Sequence, residues 1–152
     1  MADLESVFTQ LVRLETRLWD AVDARLMAEC GLRLSWFEPM RVIDERGGCR
    51  VHDIAADLAI TMGGTSKLVD RIEQAGHARR RANPLDARSS IIELTPAGRR
   101  LLARARLVVQ DELAARITGV LPAQTLNRFA AAVAALNAAQ LTVATSIRKA
   151  GS

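Results

Sequence analysis

A stretch near the middle of the chain, Arg79 to Gly98, constrains the fold more than any other part. Its sequence is RRRANPLDARSSIIELTPAG, and Asn83 to Asp86 supplies turn chemistry between two extended segments. The first segment covers about His77 to Ala82, and the second, Ser90 to Leu94, places Ser90, Ile92 and Leu94 on one face and Ile91 and Glu93 on the other. The pattern predicts a two-stranded β-hairpin in a chain whose other segments are typical of helices.

Both ends of the chain carry amphipathic helix patterns. Apolar residues recur at steps of three and four from Leu4 to Leu26, and again from Leu126 to Ile147 after the helix-start signal of Pro122. These stripes exceed what a small central domain can cover, so we expect a homodimer through residues 1–32 and 119–152. A monomeric helical bundle that folds its termini on itself is the alternative.

Three shorter helices are predicted in the centre, the first from about Ser35 to Glu45 with Pro39 near its first turn. The segments VHDIAADL and MGGTSKLVDRIEQAG follow as helix, turn and helix, with the turn at Ala59-Ile60-Thr61. In the second of these helices, Leu68 and Ile72 mark the apolar face, with Thr65 and Val69 beside them. Gly63, Ser66, Lys67, Asp70 and Gln74 occupy the opposite face.

A helix-turn-helix followed by a β-hairpin is an arrangement that can bind double-stranded DNA. The second helix fits a major groove, and arginines on the hairpin, or wing, reach the backbone or the minor groove beside it. Asp86 is expected to hold the Arg88 guanidinium by a charge-assisted hydrogen bond. Solvated charged faces are the alternative interpretation. The candidate DNA-binding residues are Thr61, Gly63, Gly64, Thr65, Ser66, Lys67, Arg71, Arg79, Arg80, Asp86 and Arg88.

Other function classes receive little support. The two histidines, His52 and His77, have no partner residues at a spacing typical of a catalytic triad or a metal site, so we expect no enzyme, metal or cofactor. The only cysteines, Cys30 and Cys49, are interpreted as buried or incidental thiols. A net charge of +4 leaves a basic architectural protein that binds DNA without sequence preference as the alternative.

The sequence also bears on location. The first ten residues, MADLESVFTQ, contain two acids and no apolar core of a signal peptide. The most apolar stretch, FAAAVAALNAAQLTVA, is short for a bilayer and contains Asn137 and Gln140. We therefore expect a cytoplasmic protein without a membrane partner.

From about Gly31 to Leu102 the chain resembles the MarR family of bacterial transcription regulators. The family's Asp-x-Arg wing and Leu-Thr-x-x-Gly motif correspond to Asp86, Arg88 and the segment Leu94 to Gly98, and KLVDRIEQAG matches its recognition helix. The resemblance implies a mostly α fold: a winged helix-turn-helix DNA-binding lobe with a two-stranded β-hairpin wing, and a helical dimerisation region from both termini. Within a single domain of residues 1–152, the lobe covers 33–98 and a long connecting helix covers 96–118.

The resemblance further implies a ligand-responsive repressor that binds a pseudo-palindromic operator in double-stranded DNA. Ser66 and Lys67 would face bases and phosphates, Arg71 the backbone and Arg88 the minor groove. A small aromatic or phenolic effector is implied, with Trp19 and Trp36 as candidate pocket residues and core packing as the other interpretation of both. The chain departs from the family pattern at Gly63-Gly64, at His77 and in the basic run Arg79 to Arg81.

Overall fold

The computed structural model describes residues 1–150, with side chains described as far as residue 141. The predicted mostly α fold, a winged helix-turn-helix lobe with a two-stranded wing, is confirmed. In chain order the elements are α1 (Leu4–Cys30), α2 (Leu34–Glu45), α3 (Val51–Leu58), α4 (Met62–Gln74), β1 (Ala78–Ala82), β2 (Ser90–Leu94), α5 (Pro96–Leu113), a π-helical turn (Ala114–Thr118) and α6 (Ala123–Ala150).

The chain forms two compact units, residues 1–112 and the segment from residue 113 onward. The first unit contains α1 to α4, both strands and nearly all of α5. Every one of these elements contributes apolar side chains to its core, and the contribution of β1 is Ala78. The largest side chains that are almost inaccessible to solvent are Leu26, Leu32, Met40, Ile43, Ile54, Val69, Ile72, Ile92, Leu94 and Leu102.

The start of helix α2 is held by Asp23, a residue of α1. The Asp23 carboxylate accepts a 2.7 Å hydrogen bond from the Leu34 N–H and a 2.9 Å bond from the Arg33 guanidinium. A free amide of the first turn is thereby satisfied from a neighbouring helix. Pro39 is buried inside α2, beyond the first turn where the sequence predicts it, because the helix begins at Leu34.

The turn between α3 and α4 is defined by the residues that cap the two helices. Ala59 ends α3 in the left-handed conformation, with φ of 53°. Thr61 then caps α4, since its Oγ1 accepts a 3.2 Å hydrogen bond from the Gly64 N–H. The predicted helix, short turn and helix are confirmed.

The hairpin pairs its strands antiparallel, from Ala78 opposite Leu94 to Ala82 opposite Ser90. The first strand begins at Ala78 instead of His77. Cys49 adds a further bridge that the sequence does not predict: its N–H donates to the Ile92 carbonyl at 3.0 Å and its carbonyl accepts from the Ile92 N–H at 2.7 Å. The hairpin is thus tied to the segment that precedes α3.

Helix α5 was expected to continue through Ile117, but its α-helical geometry ends at Leu113 and Ile117 lies in the π-helical turn. There the Thr118 Oγ1 donates a 2.6 Å hydrogen bond to the Ala114 carbonyl. A threonine hydroxyl that bonds a carbonyl one turn back competes with regular helix geometry.

The apolar stripes of α1 and α6 are largely uncovered within each unit. On α1, only Val22 and Leu26 are buried, while Leu4 is 79% and Phe8 68% exposed. On α6, Leu136 is exposed, whereas the side chains of Val143 and Ile147, which belong to the predicted stripe, lie outside the described residues. Among the described helices, none has the length and hydropathy required to cross a membrane.

Candidate nucleic-acid interface

Helix α4 separates a buried from an exposed face, as its sequence predicts. Val69 and Ile72 are completely buried, Leu68 is half-buried, and Lys67 and Arg71 are exposed. Because residues three and four apart share a face of a helix, the exposed cations project away from the core.

Thr65 does not belong to the exposed face. Its side chain is completely buried, and its Oγ1 donates a 2.7 Å hydrogen bond to the Thr61 carbonyl. It lies four residues before Val69 and therefore shares the core-facing side of the helix. This burial corrects the prediction that Thr65 contacts DNA.

The first turn of α4 presents backbone in place of large side chains. A Cβ added to Gly63 would meet nothing within 4 Å. Thr61, Gly63 and Gly64 are exposed, and Ser66 is half-buried. The N-terminal amides of a helix attract phosphate, so this end of α4 offers a surface that a nucleic-acid backbone can approach closely.

The stem of the wing is less basic than its sequence suggests. Glu93, which lies opposite Arg79 across the hairpin, pairs with Arg79 at 2.9 Å and with Arg81 at 3.4 Å. Partial desolvation raises the pKa of the Glu93 carboxyl, but the hydrogen bond and charge of Arg79, together with Arg81, outweigh it, so the pKa lies below its ordinary value. The Arg79 guanidinium is therefore paired at the protein surface with a carboxylate of its own hairpin.

Arg80 is engaged in the same way, with carboxylates of the recognition helix. Its Nε donates a 2.8 Å hydrogen bond to Glu73, and its other guanidinium edge pairs with Asp70. Arg79 and Arg80 were predicted as DNA contacts. In the structure both side chains form partly exposed ion pairs with carboxylates of β2 and α4, and their contact with DNA stays a prediction.

The tip of the wing is ordered by short-range hydrogen bonds to its own backbone. The Asn83 Oδ1 accepts from the Leu85 N–H at 3.0 Å, and the Asp86 Oδ1 accepts from the Arg88 N–H at 2.9 Å. The predicted bond between Asp86 and the Arg88 guanidinium is therefore replaced by a bond to the Arg88 backbone. An aspartate that closes a turn on the amide two residues ahead is an Asx-type turn.

Three cations of the predicted set remain available. Lys67, Arg71 and Arg88 are exposed, and none forms an ion pair within the part of the chain that the structure describes. They lie on α4 and at the tip of the wing, the two elements that a winged helix-turn-helix places against DNA.

The root of the wing is fixed to the end of α4 by Thr95 and Gly98. The Thr95 N–H donates to the His77 carbonyl at 3.0 Å, and its Oγ1 donates to the Gly76 carbonyl at 2.7 Å while it accepts from the Gly98 N–H at 3.0 Å. A Cβ added to Gly98 would lie far inside contact distance of the His77 carbonyl oxygen. This physical role of the Thr-x-x-Gly motif is not evident from the sequence.

The two predicted effector residues lie on different helices, and one cavity is lined by Trp19 without Trp36. Trp19 is 41% exposed and lines a cavity of about 260 Å³ with Glu15, Thr16 and Asp20. Trp36 is half-buried at the start of α2 and does not line this cavity. The two tryptophans therefore lie in different environments within this single chain.

The thiols and histidines also differ in environment. Burial, followed by the charge of Asp53, raises the pKa of the Cys49 thiol to about 11, so Cys49 is a neutral thiol near pH 7. Cys30 is partly exposed and His52 is exposed. Among the described residues, no three His, Cys, Asp or Glu side chains are grouped so that they could hold a metal ion.

Solved structures share this architecture. A MarR-family transcriptional regulator from Rhodococcus sp. RHA1 is 23% identical, with a TM-score of 0.79 over 90% of this chain and 95% of that chain. Sco3205 from Streptomyces coelicolor, solved in complex with DNA, is 22% identical, with a TM-score of 0.80 over 90% and 88%. CouR from Rhodococcus jostii RHA1, solved with p-coumaroyl-CoA, is 24% identical, with a TM-score of 0.77 over 86% and 90%.

The fold and the exposed surface of α4 and the wing define a winged helix-turn-helix of the DNA-binding type. Residues 31–89, which include α2, α3, α4 and most of the wing, match the MarR family model. None of the curated proteins matches the chain. The match over residues 31–89 and the shared fold make the chain similar to MarR-family transcription regulators.

Proposed function

We propose that the chain represses transcription by binding a pseudo-palindromic operator as a homodimer, and that a small organic effector releases it. The observation that carries the DNA contact is the exposure of Lys67, Arg71 and Arg88 on α4 and the wing tip, where they form no ion pair with any described residue. Sco3205 and CouR, which share the fold, have been solved with DNA.

In this proposal α4 enters the major groove by its N-terminal end. Gly63 lets the backbone approach, Ser66 and Lys67 face bases and phosphates, and Arg71 meets the sugar-phosphate backbone. An exposed lysine or arginine that contacts phosphate releases counterions, so each such contact makes binding depend on salt.

The wing contributes through its tip, where Arg88 enters the minor groove. Asp86 acts indirectly, because its bond to the Arg88 N–H fixes the backbone from which the guanidinium extends. Arg80 is a positioning residue: it joins the wing to Asp70 and Glu73 on α4, which fixes the distance between the two reading elements.

The homodimer is supported by the exposed apolar side chains of α1 and α6. Leu4 and Phe8 on α1, and Phe129, Leu136 and Leu141 on α6, are all at least 41% exposed, and large exposed apolar side chains on one helix are typical of an association surface. Light scattering on the full chain at micromolar concentration should give twice the mass of one chain. A monomer mass would remove the dimer from the proposal.

The effector response is supported by CouR, a transcriptional repressor solved with p-coumaroyl-CoA. Trp19 and Trp36 are the only tryptophans, so an aromatic ligand bound near either should change the emission spectrum. If the ligand is an effector, the same titration should weaken operator binding. Quenching with unchanged DNA affinity would leave the tryptophans as packing residues.

A gel-shift titration of selected genomic fragments against random-sequence competitor tests sequence specificity. A regulator shows affinity that depends on the site, typically by a factor of at least about 10³, whereas an architectural protein shows little preference. Lys67→Gln and Arg88→Gln should weaken binding. Arg17→Gln, which removes an equal charge from an exposed position on α1, is the matched control.

A further inference from the structure

Exposed large apolar side chains in the lobe of residues 33–98 lie on the elements that are proposed to contact DNA. Ile60 is 43% exposed in the turn before α4, Met62 is 49% exposed at the first residue of α4, and Leu85 is 95% exposed at the tip of the wing. The other Leu, Ile, Val, Met and Phe side chains of the lobe are buried or half-buried. Single exposed apolar residues are common, so each of the three needs its own explanation.

Ile60 has a structural explanation. Its N–H donates a 3.1 Å hydrogen bond to the Ala55 carbonyl, which closes the end of α3. It also directly precedes Thr61, the cap of α4, and from this position an apolar side chain commonly packs against the fourth residue of the helix. Here that residue is the buried Thr65. The fold therefore accounts for an apolar residue at this position without a partner outside the chain.

The fold gives no comparable reason for Met62. As the first residue of α4, it occupies a position where proline is over-represented and where acidic side chains are stabilised by the positive end of the helix dipole. A methionine supplies neither advantage, and about half of its surface faces solvent. Its unbranched, polarisable thioether is a side chain that adapts to the shape of a binding partner.

Met62 is also the only large side chain at the N-terminal end of the recognition helix. Gly63 and Gly64 follow it, Thr65 is buried, and Ser66 is small and half-buried. A Cβ added to Gly63 would meet nothing within 4 Å, so the described chain leaves open space beside this turn. A molecule that approaches the start of α4 therefore meets helix backbone and one apolar side chain.

From this placement we infer that Met62 contacts the C5-methyl group of a thymine in the major groove, and so selects thymine at one position of each operator half-site. The N-terminal residues of a recognition helix are those that contact base edges. Thymine is the one base whose major-groove edge carries an apolar group. The two glycines after Met62 permit the close approach that this contact needs. The inference rests on the proposed DNA-binding function and adds a specific base contact to it.

Leu85 provides a control within the same interface, because the wing meets the minor groove in the proposed complex. Its backbone is held by Asn83, whose Oδ1 accepts the Leu85 N–H at 3.0 Å, and its side chain is almost fully exposed. The thymine methyl lies in the major groove, and the minor groove presents only base acceptors and the amino group of guanine. Substitution of Leu85 therefore removes an exposed apolar side chain without removing a contact to that methyl.

Deoxyuridine gives a direct test, since it differs from thymidine only by the absence of the C5-methyl group. The full chain is used to select an operator from random-sequence duplexes, and each thymine is then replaced by deoxyuridine in both half-sites together. Burial of one methyl group corresponds to about fourfold in affinity, so the replacement at the contacted position should weaken binding by roughly 15-fold over the two half-sites. Replacements at other thymines should have much smaller effects.

Variants of Met62 assign the effect to its side chain. Met62→Gln keeps a similar length and helix propensity but loses the apolar surface, and should bind the thymine and deoxyuridine operators with nearly equal affinity. Met62→Leu remains apolar and should restore the preference for thymine. Leu85→Gln, the matched control, should keep the full preference whatever its overall affinity. Circular dichroism checks that each variant keeps the helical content of the wild type.

The thymine preference of Met62→Gln decides the outcome. If it is as large as that of the wild type, the methyl group acts through the shape of the DNA or through another residue, and the inference is wrong. A protein that selects a site but tolerates every deoxyuridine replacement also overturns the inference and leaves the proposed function intact. If the selection yields no preferred sequence, the proposed function is refuted at that first step, and the thymine contact with it.

Discussion

The stem and the tip of the wing contain the same residue type in opposite electrostatic settings. In the stem, each arginine from Arg79 to Arg81 forms an ion pair with a carboxylate of β2 or α4. At the tip, Arg88 is exposed and has no ion pair among the residues that the structure describes. Counting arginines therefore overstates the charge available to DNA, and the position of neighbouring carboxylates decides which arginines stabilise the wing and which remain free.

The largest expected effect lies at the root of the stem, where Gly98 approaches the His77 carbonyl. Gly98→Ala places a Cβ inside that oxygen's contact distance, and neither backbone can withdraw without breaking the Thr95 hydrogen bonds. We expect the free energy of unfolding to fall by about 3 kcal/mol, measured by urea denaturation. Gly63→Ala is the control, because its Cβ would meet open space, and it should stabilise α4 by up to about 1 kcal/mol. Equal stabilities of the two variants would contradict the close approach.

Arg88→Ala compares the tip with the stem directly. It should weaken operator binding by about 1 to 3 kcal/mol and reduce the salt slope by about one phosphate equivalent, with less than about 0.5 kcal/mol change in stability. Arg79→Ala should change DNA binding much less, because its guanidinium is paired with Glu93. Gel-shift titrations at two salt concentrations measure both. The comparison fails if Arg79→Ala costs as much affinity as Arg88→Ala.

Asp86→Ala should give a smaller form of the same loss. The carboxylate accepts the Arg88 N–H, so its removal leaves the arginine present but its backbone less fixed. A reduction in affinity of about 1 kcal/mol is expected, the net value of one such hydrogen bond. Asp86→Asn keeps an oxygen acceptor and should restore most of the affinity. Failure of asparagine to restore it would mean that the carboxylate charge acts on the guanidinium after all.

Local patterns predicted much of this molecule, because they depend on residues a few positions apart. The hairpin turn, the helix-turn-helix and the two faces of α4 all follow from such short-range signals. The Cys49 bridge to Ile92 and the contact of Gly98 with the His77 carbonyl join distant segments, so no local pattern reveals them. The pairing of Arg79 with Glu93 lies between these two cases. The sequence predicts both strands, but only their exact register places the two residues opposite each other.

Thr65 shows that a residue in the first turn of a recognition helix can face the core instead of DNA. The apolar spacing around Val69 placed Thr65 near the core, yet its position in the first turn of α4 favoured a DNA contact. Its hydroxyl bonds the Thr61 carbonyl, which removes the cost of burying a polar group. Sequence alone does not show that this bond exists.

The smallest effect on stability is expected from Glu93→Gln, which keeps the shape of the side chain and removes its charge. The pKa of Glu93 is lowered from its ordinary value of 4.5 in the folded protein, so its contribution to stability is present above pH 4.5 and is lost as the pH falls through the folded pKa. Melting temperatures of wild type and variant should therefore differ slightly at pH 7 and converge in acid. Glu15→Gln removes an exposed carboxylate that has no ion pair among the described residues, and should show no such convergence.

The same substitution should have an opposite effect on DNA. Without the Glu93 charge, Arg79 and Arg81 are no longer neutralised, and the stem acquires the free positive charge that the tip already has. Affinity for random-sequence DNA should rise, and the salt slope should steepen by about one to two phosphate equivalents if both arginines reach the backbone. An unchanged salt slope would mean that the stem arginines are held away from DNA by the hairpin itself, so that geometry, and not pairing with Glu93, distinguishes the stem from the tip.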